Sequence, residues 1–257
     1  MEINLNCDLG EKSIHFDGRH DVELLKIINS ANIACGYHAG SNSIINETIK
    51  LAKNNDVSIG AHPGFKDMEN FGRKNIYLSE TELTDLVWKQ LEIINELAKI
   101  NNTNITHVKP HGALYNMACE NIEIAISVGK AIKKFNNELI YVILPLSEME
   151  NAAKKIDIKF ACEIFADRNY EDNGQLVSRD KSYALINNPI IASQNIIKML
   201  NESCIISLSG KRIKCNIDTI CIHGDGLNSV PIAKEIQNAL KNGNFKVLNL
   251  NNMTKFK

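Results

Sequence analysis

The stretch HVKPHGALYN, residues 107–116, places a lysine and two histidines where they could do acid–base chemistry. His107, Lys109 and His111 alternate with an apolar residue and a proline, so in a strand they would share one face. Imidazole exchanges protons near neutral pH, and an ammonium group stabilises negative charge. The same stretch is compatible with a polar strand edge that faces water, so its meaning depends on the strands around it.

Polar residues of similar type occur at the ends of the other strand-like segments, just before the loops. They are Asp8, His38, His62, His111, Asp167 and His223. In an α/β barrel the C-terminal ends of the strands meet at one face, and that face carries the chemistry. We therefore predict that these side chains form a common site.

Metal binding is a second chemistry that these residue types allow. Asp8, His38, His62 and His223 suit a divalent ion. No HxxxH or HExxH spacing puts two ligands on one helical turn, so ligand spacing does not by itself indicate a metal. A metal site on these residues is therefore an alternative to metal-free acid–base chemistry.

The composition is that of an ordinary globular protein. The 257 residues are 44% hydrophobic and 23% charged, with a net charge of −1, so nothing indicates a nucleic-acid or membrane partner. No apolar run reaches the ~18 residues of a membrane span. The start, MEINLNCDLG, lacks the basic and apolar regions of a signal peptide. We expect one domain over residues 1–257, located in the cytoplasm.

The seven cysteines are odd in number and scattered, with no CxxC pair. A disulfide framework and a zinc knuckle are both disfavoured. Cys7, beside Asp8, is an alternative nucleophile, but that chemistry also needs an activating base.

Strand-like and helix-like segments alternate along the chain. The predicted strands are INLNC, NIACG, VSIGA, THVKP, LIYVIL, KFACEIF, TICIH and FKVLNL. The predicted helices are DVELLKIINS, NSIINETIKLAKNN, SETELTDLVWKQLEIINELAKI, ENIEIAISVGKAIKKF and VPIAKEIQNAL, the third starting with a Ser79–Glu82 capping box. CIISLSGKRIKCN interrupts the pattern as a peripheral hairpin that turns at Ser209-Gly210. The alternation predicts βα units around a parallel sheet.

Six of the predicted strands have one apolar and one polar face, and LIYVIL is apolar on both. In the first strand, for example, Asn4, Asn6 and Asp8 share one face. If helices cover the outside, the apolar faces must pack against them and the polar faces must line the barrel interior. A water-facing antiparallel sheet would give the same alternation. In the interior, Lys109 needs a carboxylate such as Asp8 or Glu163 nearby, because an unpaired buried charge is costly.

Three arginines, Arg73, Arg168 and Arg179, lie in loop-like stretches. A guanidinium group there could clamp a carboxylate or a phosphate. The alternative is a surface residue, which the sequence favours for Arg73 and Arg179 over a ligand.

Several motifs together resemble the LamB/YcsF family. They are LNCDLGE, SANIACGYHAG, IGAHPGF, FGR, HVKPHGALYN, EIFADRNYEDNGQLVSR and CIHGD, which span residues 5–225 in family order. The resemblance implies a βα barrel of the glycoside hydrolase/deacetylase type with seven strands. It also implies ATP-dependent opening of the 5-oxoproline lactam to glutamate, performed with two partners, the 5-oxoprolinase subunits B and C.

Two loop segments depart from the family pattern. LNCDLGE usually continues with a Gly/Phe-rich stretch, where this chain has KSIHFDGRHD, and the usual Asp after CGxHAG is Ser41. Both could alter substrate contacts or the docking of a partner.

The resemblance and the residue pattern suggest roles for individual side chains. Asp8 or His38 would be the general base for water, while Lys109 and His111 would stabilise negative charge or a phosphate. The substrate contacts would be Asn6, His62, Arg73, Glu163, Asp167, Arg168, His223 and Asp225. The chain has no GxxxxGK[ST] motif, so ATP chemistry is expected on the partners.

Two other functions remain open at this point. One is a metal-dependent deacetylase of N-acetylated carbohydrate, and the other is a non-catalytic subunit that binds a small molecule. The sequence does not decide the oligomeric state, and a homo-oligomer is possible.

Overall fold

The computed structural model describes all residues from 1 to 257. Its strands are β1 (Glu2–Leu9), β2 (Ser30–Ala34), β3 (Ser58–His62), β4 (Ile105–Val108), β5 (Ile140–Ile143), β6 (Phe160–Phe165), β7 (Cys204–Ile206), β8 (Arg212–Lys214), β9 (Thr219–His223) and β10 (Lys246–Val247). Seven of them, β1 to β6 and β9, are parallel neighbours, and β1 pairs with both β2 and β9. The ring is therefore closed, and the predicted seven-stranded α/β barrel is confirmed.

Eight helices accompany the strands. They are α1 (Asp21–Leu24), α2 (Asn42–Asn54), α3 (Glu80–Ile100), α4 (Gly112–Glu120), α5 (Ile122–Phe135), α6 (Glu148–Ile156), α7 (Pro189–Glu202) and α8 (Ser229–Asn242). The capping box predicted at the start of α3 is present, with the Ser79 hydroxyl accepting from the Glu82 amide and the Glu82 side chain accepting from the Ser79 amide. The hairpin of β7 and β8 is antiparallel and lies outside the ring, as predicted.

Some predicted elements were wrong. DVELLKIINS was predicted as a helix, but only Asp21–Leu24 is helical, and Ser30 already belongs to β2. FKVLNL was predicted as a strand, but only Lys246–Val247 pairs, with the start of β1. Three helices, α4, α6 and α7, were not predicted at all.

The polar strand faces line the interior of the barrel. Asn6 Nδ2 donates to Glu163 Oε1 at 2.9 Å, and Asn32 Nδ2 donates to Asn6 Oδ1 at 2.7 Å, so three strands are joined through side chains inside the ring. The alternate residues Ile3 and Leu5 are fully buried in the hydrophobic cluster between strands and helices. The interior prediction is thus confirmed, and the water-facing antiparallel sheet is excluded.

No helix combines the length and the apolar character that crossing a membrane would require.

A glycine makes room for one interior histidine. Gly60 lies beside His107, whose Nε2 is 3.1 Å from Asn32 Oδ1, and a Cβ on Gly60 would overlap the His107 ring. We expect Gly60→Ala to lower the free energy of unfolding by about 1–3 kcal/mol, because the ring cannot move without breaking buried contacts. Urea unfolding measures this.

The matched control is Gly226→Ala, where an added Cβ would meet no atom closer than 3.5 Å. It should change the unfolding free energy by no more than about 0.5 kcal/mol. Equal stability of the two variants would contradict the tight packing at Gly60.

Candidate functional site

A cavity of about 420 Å³ opens at the C-terminal end of the barrel strands. Eight of the predicted site residues line it: Asp8, His62, Arg73, Lys109, His111, Arg168, His223 and Asp225. Each comes from the last residue of a barrel strand, a position near it, or the loop that follows. The strand ends therefore place these side chains around one cavity.

Four other predicted residues do not line the cavity. Asn6 and Glu163 lie deeper in the barrel and hydrogen-bond to each other. His38 is buried behind Glu11, and Asp167 accepts a hydrogen bond from His223 Nδ1 at 2.8 Å. The prediction that these residues touch substrate or water is therefore not supported, and their contacts make them supports for the side chains in front of them.

Lys109 lies on the cavity floor between two carboxylates. Its Nζ is 2.9 Å from Asp8 Oδ1 and 3.2 Å from Glu163 Oε1, and it also donates to Cys221 Sγ at 2.9 Å. All four side chains are buried. The predicted carboxylate partner of Lys109 is confirmed, and two carboxylates are present where one was required.

This arrangement shifts the pKa values of Asp8 and Glu163 in opposite directions. Burial alone would raise the pKa of Asp8, but the charges of His62 and Lys109 hold it well below its usual value. Burial raises the pKa of Glu163, and the charge of Lys109 offsets only part of that effect. For Lys109, burial would lower the pKa, yet Asp8 and the groups around it raise it well above normal. The floor of the cavity therefore presents an ionised Asp8 and a charged Lys109 side by side.

Four buried side chains, Glu11, His38, His62 and His111, form a second group, which we call the histidine–glutamate cluster. Glu11 Oε1 is 3.1 Å from His38 Nε2, 3.6 Å from His62 Nε2 and 3.0 Å from His111 Nδ1. No lysine or arginine forms an ion pair with Glu11. The carboxylate of Glu11 thus depends on imidazoles alone for its neutralisation.

The proton affinities in this cluster also differ from those of free side chains. Burial, with the charge of His111, lowers the pKa of His38 to about 3. Burial lowers the pKa of His111 as well, although Glu11 opposes it. His62 behaves differently, because Asp8 and Glu11 outweigh its burial and raise its pKa. His38 and His111 are therefore neutral at physiological pH.

Charged groups also surround the mouth of the cavity. Arg73 Nη2 donates to Asp225 Oδ2 at 2.6 Å and so links the loops after β3 and β9. Arg168 is buried, its Nη2 donates to the Val177 carbonyl at 2.5 Å, and its Nε has no partner. Burial, with the charge of Arg179, lowers the pKa of Arg168 to about 10.

Several residues of the site were not predicted. Glu11 was not among the predicted site residues, because it lies beyond β1, where strand alternation no longer applies. Tyr115, on α4, lines the cavity with its hydroxyl 3.4 Å from Glu163 Oε2. The presence of Glu11 three residues after Asp8, in the loop that follows a polar strand end, was the available signal.

A buried aspartate beside this loop gives a pH-dependent prediction. Asp21 Oδ2 accepts from the Gly10 amide at 2.9 Å, and Oδ1 has no partner. Burial raises the pKa of Asp21 to about 6, so the folded state prefers the neutral acid. Stability from this group is therefore present at low pH and is lost as the pH rises from about 4 to about 6. We expect Asp21→Asn to gain about 2 kcal/mol relative to the parent over this interval.

Urea unfolding of parent and variant across that pH range measures the gain. Asp85→Asn is the control, because Asp85 is exposed on α3 and its charge is solvated in both states. A constant difference between Asp21→Asn and the parent at all pH values would contradict the prediction.

Comparison with known proteins identifies the family of this chain. The sequence model of the LamB/YcsF family matches residues 3–255. A protein of Staphylococcus epidermidis, named as the A subunit of 5-oxoprolinase, is 46% identical over 240 residues, which are 93% of this chain and 95% of the relative. The protein of the same name in Staphylococcus haemolyticus is 43% identical over 93% of this chain and 96% of the relative.

Solved structures give the same result for the fold. The lactam utilization protein from Thermus thermophilus superposes with a TM-score of 0.90 at 36% identity, over 96% of this chain and 99% of that one. A family 4 carbohydrate esterase from Streptomyces lividans superposes with a TM-score of 0.51 at 9% identity, over 96% and 91% of the two chains. The second likeness concerns the fold alone, and it confirms the predicted barrel of the deacetylase type.

Proposed function

Because this chain belongs to the LamB/YcsF family, we propose that residues 1–257 act as one catalytic domain, the A subunit of an ATP-dependent 5-oxoprolinase. The reaction opens the lactam of 5-oxo-L-proline to L-glutamate while ATP is hydrolysed to ADP and phosphate. Subunits B and C would take part, and the reaction would occur in the cytoplasm. The relatives that carry the name of this subunit, 42–46% identical over 93% of this chain, support the proposal.

The observation that carries a catalytic role is Lys109 at the cavity floor, held between Asp8 and Glu163. Hydrolysis of an amide places negative charge on oxygen in the transition state, and a fixed cation in a water-poor site stabilises that charge. The two carboxylate partners keep the ammonium group of Lys109 charged against the effect of burial, and the buried contacts fix its position. We assign Lys109 to this electrostatic role.

Asp8 is the general base that the geometry supports best. Its carboxylate lines the cavity, is ionised, and has Oδ2 3.2 Å from Lys109 Nζ and 3.4 Å from His62 Nε2. A carboxylate with a depressed pKa is a weak base. It suffices if the carbon that water attacks is already activated, as it would be when ATP has phosphorylated the lactam oxygen.

The two histidines first considered for catalysis fit less well. His38 does not line the cavity, so it cannot reach a water molecule there. His111 Nε2 lies 2.8 Å from the carbonyl of Phe71, which can only accept, so neutral His111 presents an unprotonated Nδ1 toward Glu11. An unprotonated nitrogen cannot donate to an oxyanion. We therefore do not assign His38 as the general base or His111 as the group that stabilises negative charge.

The arginines at the mouth suit an anionic substrate. Arg73, Arg168 and Arg179 line the cavity, and the Nε of Arg168 is buried without a protein partner. A guanidinium group pairs well with a carboxylate or a phosphate, and 5-oxoproline carries a carboxylate. We propose that Arg168 binds an anionic group of the substrate.

ATP itself is assigned to the partner subunits. No Walker A or kinase glycine loop occurs in this chain. ATP would therefore be the co-substrate of the complete enzyme, with any Mg²⁺ that it carries.

The test is glutamate release from 5-oxoproline and ATP by this chain with candidate subunits B and C from the same organism. We expect glutamate and ADP when all three proteins are present, and no glutamate when this chain is left out. The same glutamate yield without this chain would overturn the proposal, as would no glutamate from the complete set. Acetate release from an N-acetylated oligosaccharide, measured in parallel, would instead support a deacetylase.

A further inference from the structure

The histidine–glutamate cluster has no assigned part in the proposed reaction, yet it is buried in the wall of the cavity. Burying a carboxylate without a cation costs several kcal/mol, and the only groups around Glu11 that could carry a positive charge are imidazoles. Of the four members, Glu11, His62 and His111 line the cavity and His38 does not. A cation bound between these three side chains would neutralise Glu11.

Hydrogen bonds to the backbone determine which ring nitrogens carry protons. His62 Nδ1 is 2.7 Å from the carbonyl of Lys109, and His111 Nε2 is 2.8 Å from the carbonyl of Phe71. A carbonyl oxygen can only accept, so both of these nitrogens donate. In the neutral rings, His62 Nε2 and His111 Nδ1 are therefore lone-pair atoms, and both point into the cluster. Metal-binding histidines are oriented by outer hydrogen bonds of this kind.

The inward atoms converge on one point. His62 Nε2 and His111 Nδ1 are 3.0 Å apart, and Glu11 Oε1 lies 3.0 Å from His111 Nδ1 and 3.6 Å from His62 Nε2. Three electron-pair donors this close repel one another unless a cation lies between them. A tetrahedral ion with bonds of about 2.0–2.1 Å separates its ligands by about 3.4 Å, which is close to these separations.

A single proton does not satisfy this arrangement as well. A proton on His62 Nε2 can be shared with His111 Nδ1, while His38 Nε2, 3.1 Å from Glu11 Oε1, donates to the carboxylate; this places one positive charge on the cluster and fixes only one of the three contacts between His62, His111 and Glu11. A divalent ion neutralises Glu11 and accepts all three lone pairs at once. Two imidazoles and one carboxylate form a ligand set that suits Zn²⁺ and similar transition metals better than Mg²⁺ or Ca²⁺.

His38 is excluded as a ligand of the same ion. Its ring is stacked on that of His111, with centroids 3.8 Å apart and planes 4° from parallel. A ring nitrogen binds a metal in the plane of its ring, and one ion cannot lie in two parallel planes. His38 instead contacts Glu11 Oε1 through Nε2 at 3.1 Å and so orients the carboxylate.

The second acidic group beside the cavity already contains a cation. Asp8, Cys221 and His223 come close together, but Lys109 Nζ lies 2.9 Å from both Asp8 Oδ1 and Cys221 Sγ. His223 Nδ1 is engaged by Asp167. The candidate ligands Asp8, His38 and His223, which the sequence suggested for a metal, are therefore replaced by Glu11 and His111, and only His62 remains.

We propose that Glu11 Oε1, His62 Nε2 and His111 Nδ1 bind one divalent transition-metal ion in the wall of the cavity. Three protein ligands leave a fourth tetrahedral position without a protein ligand, as in catalytic rather than structural zinc sites. All three ligands line the cavity, and His62 Nε2 lies 3.4 Å from Asp8 Oδ2, so the ion would lie beside the proposed hydrolytic groups. The binding of the ion does not depend on which substrate the protein uses.

The test uses the full chain, stripped with a chelator and dialysed. Titration with Co²⁺, followed by its visible d–d absorption, and with Zn²⁺, followed by calorimetry, should show one ion per chain. Glu11→Gln and His62→Gln should weaken binding of both ions by at least about 100-fold. His20→Gln, which changes a histidine outside the cluster, should bind as the parent does.

Folding of each variant is checked by circular dichroism and thermal unfolding. Zn²⁺ should raise the melting temperature of the parent and of His20→Gln but not that of Glu11→Gln, because only a binding-competent folded state is stabilised. Absence of a stoichiometric ion in the parent overturns the proposal even if a variant fails to fold. Binding by Glu11→Gln as tight as that of the parent overturns it as well. Since no substrate is present, these outcomes are independent of the glutamate assay.

Discussion

Lys109→Met is expected to abolish glutamate formation by the complete enzyme and to lower the stability of this chain by about 3–5 kcal/mol. The substitution keeps the length of the side chain but removes the charge between Asp8 and Glu163. Activity falls because no other lysine or arginine contacts Asp8 or Glu163 at the cavity floor to stabilise negative charge. Stability falls because two buried carboxylates lose their shared partner. Glutamate release and urea unfolding measure the two effects.

A double variant separates the effect on activity from the effect on stability. Lys109→Met with Glu163→Gln removes one positive and one negative charge. Asp8 then no longer lies near a second buried carboxylate that has lost its lysine. We expect it to recover most of the lost stability and none of the activity, since Glu163 does not line the cavity. Lys159→Met, which removes a half-exposed lysine at the other end of the barrel, is the control for loss of a positive charge. Near-normal turnover by Lys109→Met would contradict the assigned role.

The barrel could be predicted because its determinants are local and repeated. Six strands alternate polar and apolar residues, and the alternation has only one explanation once helices lie between the strands. Helix α4 escaped prediction because most of its side chains are buried and it therefore lacks a polar stripe; it also begins at Gly112, with no capping side chain on His111. Helix α7 carried readable signals, Asn188 as the cap and Pro189 at the first position, which were overlooked.

The site could be predicted where its residues lie at the ends of strands. Asp8, His62 and Lys109 meet because they lie at the C-terminal ends of β1, β3 and β4, which belong to one closed barrel. The need of Lys109 for a carboxylate followed from the cost of burying charge. Loop residues do not obey such a rule. Glu11 turns back into the cavity, and His38 turns away from it to stack on His111, and neither direction can be obtained from alternation.

The same reasoning explains why metal binding was assigned to other residues. Spacing along the chain carries no metal signal here, because Glu11, His62 and His111 come from three different loops or strand ends. Their convergence depends on barrel closure and on two backbone carbonyls that orient the rings. Only the folded arrangement places three lone pairs within 3.6 Å of one another.

Asp8→Asn is expected to reduce glutamate formation by about 10²–10⁴-fold while leaving the barrel folded. An amide oxygen at this position can still accept from Asn32 Nδ2 and Lys109 Nζ, which are 2.8 and 2.9 Å from Asp8 Oδ1. Glu163 still balances the charge of Lys109. The variant therefore keeps the contacts of Asp8 Oδ1, gives up the 3.2 Å contact of Oδ2 with Lys109 Nζ, and loses the ability to take a proton. Steady-state glutamate release with subunits B and C measures the loss.

The matched control is Asp218→Asn, at the opposite end of the barrel. Asp218 Oδ2 accepts from the Cys162 amide and from Lys255 Nζ and does not line the cavity, so its loss should affect stability and not turnover. Metal binding gives a second control, because Asp8 is not a proposed ligand, and Asp8→Asn should bind Zn²⁺ as the parent does. An inactive variant that also lost the ion would show that Asp8 acts through the metal site, and an active one would remove Asp8 from the mechanism. Only an inactive variant with normal Zn²⁺ binding supports Asp8 as the base.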